Sequence, residues 1–172
     1  NYLEVMYREI ENQKADIVCC GFNILTNDKV RPHLISLEAS SNIESIIHLL
    51  NGNDWGSLFN RIFKSNLVKD LNFNKGIAQD KPFIFQLFVK NPISKVIYIE
   101  QCLYNYIIRN QSATNSMSKE KIDDLIDNMI VNPINLVRQS NYYGHCKGAL
   151  NYYMVMSYLY IISNIAKNSK QF

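Results

Sequence analysis

Ala15-Asp16-Ile17-Val18-Cys19-Cys20-Gly21-Phe22 (residues 15–22) is the stretch that sets the fold class. A short apolar run behind a single acid has the length and composition of a buried strand. The residues before it are of another kind: Tyr2, Leu3, Met6 and Ile10 fall at helical spacing with charges between them. Residues 1–14 therefore read as an amphipathic helix leading directly into the strand. In extended chain, Cys19 and Cys20 point to opposite faces and cannot easily bridge each other.

Working outward, Asn27-Asp28 reads as a turn and Arg31 to Ser40 as a loop or edge strand. Ser41 or Asn42 caps a helix with Glu44 in its first turn, and Ile43, Ile46, Ile47 and Leu50 form its buried stripe. Asp54 to Phe63 reads as a second short helix capped by Asp54, with one more turn at Asn66-Leu67-Val68. Asn72 to Gly76 is irregular. Asp80-Lys81-Pro82 opens a helix to Lys90, since proline costs nothing in a first turn. Lys95 to Ile99 and Leu103 to Arg109 read as two strands, the second with half-buried alternation. Beyond Ser118 the pattern is helical throughout, interrupted at Asn132-Pro133 and resuming from Lys147 to Ala166. The order is α/β followed by an all-helical end.

The bulk numbers narrow the function classes. A chain of 172 residues with 47% hydrophobic and 12% aromatic residues buries a real core and is not disordered. Lysine and arginine exceed the acids by 18 − 15 = +3, which does not point to a nucleic-acid partner. Cysteines 19, 20, 102 and 146 form no CxxC pair, and histidines 33, 48 and 145 form no HExxH or visible triad. Reduced, buried thiols in a cytosolic protein are the reading, with no metal site in this chain.

Four segments carry a resemblance. They are Asn1-Tyr2-Leu3-Glu4 through Val18, Trp55-Gly56-Ser57-Leu58-Phe59-Asn60-Arg61, and Phe73-Asn74-Lys75-Gly76 with Gln79-Asp80-Lys81-Pro82-Phe83. The fourth is Leu103-Tyr104-Asn105-Tyr106 with Arg109-Asn110-Gln111-Ser112-Ala113-Thr114. In order and spacing they resemble the second half of bacterial family 2 glycosyltransferases, which build capsule, lipopolysaccharide and other surface glycans. Ser57 and Gln79 stand where that family usually has Lys and Glu.

The resemblance implies a partial GT-A-like mixed sheet with helices in residues 1–115, the acceptor side of the catalytic domain, and a helical extension in 116–172. It implies inverting transfer from a nucleotide-sugar donor to a surface-polysaccharide or lipid-linked acceptor. No "VSVIIPxYN"-like strand, "DDGSxD" turn or D-x-D motif occurs here, and Asn1 falls where that last motif ends in the family. The expectation is thus a piece of a longer enzyme or a remnant gene. The donor half and the ligands of a divalent metal (Mg or Mn) would lie outside this chain. The rival reading is a non-catalytic acceptor-binding or dimerisation module of the same origin.

Inverting transfer needs a base to take the proton of the attacking hydroxyl, and a carboxylate at a helix N-terminus suits that role. Asp80 is that residue by position and resemblance; the plainer alternative is a helix cap. Trp55, the single tryptophan, is either a stacking platform for a sugar ring or a core anchor. Gln79 cannot ionise and contributes hydrogen bonding only. Arg109 is either a pyrophosphate clamp or an exposed strand end. The resemblance adds Ser112 to the substrate-binding set.

The tail has its own arithmetic. After Asp127 no acid remains, while Arg138, Lys147, Lys167 and Lys170 sum to +4, which leaves +3 − 4 = −1 for residues 1–127. Six of 11 tyrosines (142, 143, 152, 153, 158, 160) also lie there. Such a helix suits an anionic membrane surface at the cytoplasmic face, packing on the domain, or a homodimer contact. Asn151, Ser157, Ser163 and Asn164 argue against a membrane span.

Overall fold

The computed structural model describes residues 1–26, 29–38, 40–108 and 118–168. Helix α1 (Tyr2–Asn12) starts at Asn1, whose side chain accepts from the Leu3 amide at 3.2 Å, and buries Met6 and Ile10 one turn apart. It hands over to strand β1 (Ile17–Leu25), which runs three residues past the expected Phe22.

β1 is the centre of a mixed four-stranded sheet. One edge pairs in parallel with β4 (Val96–Ile107) along its whole length. The other edge is shared by two short antiparallel strands: β3 (Arg61–Phe63) against Ile17–Cys19, and β2 (Val30–His33) against Phe22–Leu25. Alternation along β1 sorts the side chains between two cores. Val18 and Cys20 join Met6, Ile10 and Ala15 beneath α1, while Ile17 and Cys19 enter the larger core on the opposite face. The adjacent cysteines do point apart, and all four cysteines are free thiols. Burial pushes the Cys19 thiol up to about 12 and the Cys20 thiol up to about 11, so both stay protonated.

Two expected strands are one. Lys95–Ile99 and Leu103–Arg109 read as separate because Glu100 and Gln101 break the apolar pattern, but β4 passes through them as a bulge. Cys20 pairs with Ile99 and Phe22 with Tyr104, so β4 advances 5 residues while β1 advances 2. The partner at the step is Gly21, where a Cβ would stand 2.8 Å from the His33 carbonyl oxygen. Glycine lets the backbones close there, and the bulge absorbs the polar pair.

The expected helix from Asp54 to Phe63 is absent. Residues 54–60 follow a non-helical path, and Arg61–Phe63 are strand. Asp54 has nothing to cap, because its carboxylate is taken by Arg61, and Gly56 sits at φ +64, outside any right-handed helix. A 3₁₀ turn at Ser65–Leu67 follows, close to the expected turn.

On the large-core face lie α2 (Asn42–Leu50) and α3 (Asp80–Lys90). α2 opens with the expected cap, the Ser41 amide donating to Glu44 Oε2 at 2.7 Å. α3 buries Phe83, Ile84, Phe85, Leu87 and Phe88 and ends at Asn91, which donates to the Leu87 and Leu67 carbonyls at 2.9 and 3.1 Å. The C-terminal segment gives α4 (Lys119–Ile126), a π turn (Asp127–Val131), α5 (Asn132–Arg138) and α6 (Tyr143–Asn168). Ser118 caps α4. α6 buries Cys146, Leu150, Tyr153, Ser157 and Ile161, spaced by three or four residues. One buried cluster joins Leu125, Ile130, Ile134, Val137 and Leu150 to Ile17, Ile46, Phe85 and Phe88, so the C-terminal helices share the core of the sheet. Each large side chain so buried contributes roughly 1.5–3 kcal/mol. Among the described residues, no helix is long and apolar enough to cross a membrane.

Candidate functional site

The loop of residues 54–60 is held from within. Asp54 is buried and accepts from Arg61 at 2.7 and 3.3 Å and from the Gly56 amide at 2.8 Å. Burial alone would push its carboxyl up; the Arg61 guanidinium and the Gly56 amide outweigh it and hold the carboxyl below its ordinary range. A Cβ on Gly56 would come within 3.0 Å of Leu49 Cδ2 and 3.2 Å of Ile84 Cγ2, so only glycine lets the loop lie this close to α2 and α3. Ser57 donates to Asn60 Oδ1 at 2.8 Å, and Asn60 donates to the Cys20 carbonyl at 2.7 Å. These bonds tie the loop to β1 and leave two rings at its surface.

One is Trp55. Its ring packs on His33 (centroids 4.6 Å apart) and edge-on to Phe22 (5.1 Å), yet the residue stays 40% exposed. The core-anchor and platform readings therefore describe two sides of one ring. The other is Phe59, stacked on Tyr104 at 4.8 Å and on Tyr106 at 5.1 Å.

The second wall is the start of α3. Gln79 occupies the cap position without a side-chain cap bond, and Asp80 is the first helical residue. The alternative of Asp80 as the cap does not hold, and its half-buried carboxylate accepts no hydrogen bond from the described residues. The loop before it is clasped from the C-terminal helices. Buried Asn128 donates to the Lys75 and Ile77 carbonyls at 2.9 and 2.8 Å and accepts from Asn74 at 3.0 Å. Asp124 Oδ2 accepts from the Ile77 amide at 3.3 Å.

Between these walls lies a cleft of about 350 Å³ lined by Trp55, Phe59, Asp80, Lys81, Tyr106 and Tyr160, with Ser57 and Met129. A neighbouring hollow of about 390 Å³ shares Trp55, Lys81, Met129 and Tyr160 with it and runs on between α2 and α6. On the far side of Asp80, Gln79 lines a third, of about 360 Å³, with Phe73 and Ile77. The structure thus joins Trp55 to Asp80 in one cavity and Gln79 to Asp80 in the next. Arg109 and Ser112 lie outside the described residues; Ile108, whose amide donates to the Leu25 carbonyl at 2.9 Å, is the last residue described before them.

Lys81, Phe59, Tyr106 and Tyr160 were not among the sequence candidates. Tyr106 had a signal in its alternation with Tyr104 along one strand face, whereas Tyr160 reaches the cleft only because α6 folds back over α2 and α3. Lys81 donates to the Trp55 carbonyl, and burial pushes its ammonium down, aided by Arg61 and opposed by Asp80 and Asp54.

No family model matches this chain, and no curated protein matches it. The site's chemistry therefore rests on the residues themselves. Four aromatic rings, one open carboxylate and one ammonium suit a polyhydroxylated ligand, whose ring faces stack and whose hydroxyls meet a proton acceptor. They do not suit a divalent cation. The cleft offers a single carboxylate beside an ammonium, and no three His, Cys, Asp or Glu among the described residues gather as metal ligands.

Proposed function

We propose that this chain is the acceptor-side part of an inverting family 2 glycosyltransferase with a GT-A-type sheet, working at the cytoplasmic face of a membrane on a surface-glycan acceptor. The observation that carries this reading is the cleft shared by the half-exposed ring of Trp55 and the carboxylate of Asp80, which accepts no hydrogen bond from the described residues. A mixed sheet with β1 at its centre and a helix on its face that starts at Asp80 also support it.

In this reading the acceptor sugar stacks on Trp55 and presents a hydroxyl to Asp80. As the hydroxyl oxygen attacks the anomeric carbon of the donor, its proton passes to the Asp80 carboxylate. The new glycosidic bond forms while the bond to the nucleotide diphosphate breaks, and the diphosphate leaves with the bonding pair. Donor-binding residues and the ligands of any metal belong to chain outside this sequence, so no step here is routed through them.

The test uses the whole protein that contains this sequence, assayed for sugar transfer. Asp80→Asn should lower turnover by about 10²–10⁴-fold, the range a general base supplies, with acceptor affinity kept. Turnover near the parent's in a folded D80N protein would refute the assignment. A second reading draws on Gln79, which cannot ionise beside Asp80: a glycan-binding module in which the same cleft holds a sugar without transferring it. Glycan binding that depends on Trp55, in a whole protein lacking transfer, would favour that reading.

A further inference from the structure

α6 (Tyr143–Asn168) is apolar on two opposite faces. Its inner stripe, Cys146, Leu150, Tyr153 and Ile161, is spent in the core of the sheet. Its outer face carries Tyr152, Val155, Met156, Tyr158, Leu159 and Ile162, each 46–60% exposed. Residues 148–166 hold no charge on either face, and Lys147 and Lys167 bracket the stretch. A helix apolar all round packs between two layers, and the described residues provide only the inner one.

Three observations say what the outer layer is. Tyr152, Val155, Leu159 and Ile162 are spaced by three, four and three residues, the alternation of a seam that faces another helix. The seam is uncharged, so it can meet an identical seam across a two-fold axis with no like charges opposed within it. Half-exposed side chains of this size offer roughly 100 Å² each, so six from each copy bury about 1,200 Å² in all, the lower end of the standard range for stable pairs.

A bilayer surface is the poorer fit. Helices that lie on anionic membranes set lysine and arginine along the apolar face to reach the headgroups. Here Lys147 and Lys167 stand about 30 Å apart along the axis, with no basic residue between them.

We propose that α6 is a self-association surface: two copies of this chain pair through Tyr152, Val155, Leu159 and Ile162 across a two-fold axis. The helix needs no help from its partner to form, because the inner face already anchors it. The pairing does not depend on what the cleft binds. Tyr152 and Met156 also line the hollow beside the cleft, so the second copy borders that hollow.

The test is sedimentation equilibrium of the whole protein that contains this sequence. It runs up to about 100 μM, well above the micromolar limit expected of an interface of this size. A dimer is expected. Leu159→Glu should raise its dissociation constant at least about 100-fold, because the seam then opposes two carboxylates in an apolar contact. Val155→Glu should do the same, while Leu3→Glu, exposed on α1 and off the seam, should leave the dimer intact. Circular dichroism verifies that each variant is folded.

A protein that stays monomeric throughout overturns the proposal. So does a dimer that L159E and V155E leave intact, or one that L3E dissolves as readily. A monomer that sediments with phosphatidylglycerol vesicles and is released by L159E also overturns it, and assigns the face to a membrane.

Discussion

The Arg61 guanidinium and the Asp54 carboxylate meet in two hydrogen bonds of 2.7 and 3.3 Å, with side chains 0% and 1% exposed. This pair joins the start of β3 to the loop that carries Trp55, and it takes up the acid that would otherwise cap a helix. Breaking a buried pair from one side strands the other charge. Asp54→Asn and Arg61→Met should each cost about 3–5 kcal/mol in denaturant unfolding. The double replacement should cost clearly less than the sum, because no charge is then stranded. Additive losses would mean that the two side chains are not energetically coupled.

The π turn before α5 has a specific closing bond. Pro133 has no N–H to give to the carbonyl four residues back, that of Met129, and the Tyr153 hydroxyl on α6 donates to it at 2.6 Å. Tyr153→Phe should therefore destabilise by about 1 kcal/mol by taking the donor from a partly buried carbonyl. In a Pro133→Ala background a backbone amide is restored, and the same change should cost measurably less. An equal cost in both backgrounds would show that the proline and the tyrosine are unrelated.

What could be read from the sequence was whatever a local pattern decides. The capping box at Ser41 and Glu44, the start of α3 at Asp80 ahead of Pro82 and the opposed faces of Cys19 and Cys20 each follow from neighbours within a few residues. Misreadings arose where a distant partner outbids the local pattern. Asp54 with Trp55, Leu58, Phe59 and Ile62 fits a capped amphipathic helix until Arg61 claims the acid and β1 claims residues 61–63. Glu100-Gln101 looks like a break because the bulge that absorbs it is defined by Gly21, some eighty residues earlier in the chain. The same limit applies to the cleft. Trp55 and Asp80 were legible from motif-like surroundings, but Tyr160 enters through helix packing that no local pattern encodes.

Gly76 tests the clasp on the Asp80 loop. Its φ is +88, and a Cβ there would stand 2.2 Å from Asp124 Oδ2, the oxygen that holds the Ile77 amide. Gly76→Ala should cost about 1–3 kcal/mol from the left-handed backbone, with the clash added. It should also weaken ligand binding at Trp55 by displacing Asp80. Adding Asp124→Ala removes the clash but not the backbone cost, so unfolding should recover only in part. Full recovery in the double variant would assign the whole effect to the side-chain contact.

Asp16 gives the clearest acid response. Its carboxylate accepts from Lys64 Nζ at 2.9 Å, from the Ser94 amide and hydroxyl at 2.8 and 2.7 Å, and from the Lys95 amide at 3.3 Å, binding the start of β1 to β3 and β4. Burial pushes its carboxyl up, but Lys64 and the Ser94 and Lys95 donors outweigh burial and hold it at about 2, against an ordinary 3.8. A carboxyl lowered on folding binds its proton more weakly in the native state than in the unfolded one. Its stabilisation is therefore complete above 3.8 and is lost as pH falls from there toward 2. Asp16→Asn should lower stability at neutral pH and flatten the stability–pH curve across that acid interval, as followed by urea unfolding at stepped pH. If the parent and D16N curves stay parallel there, the acid sensitivity belongs to other carboxylates.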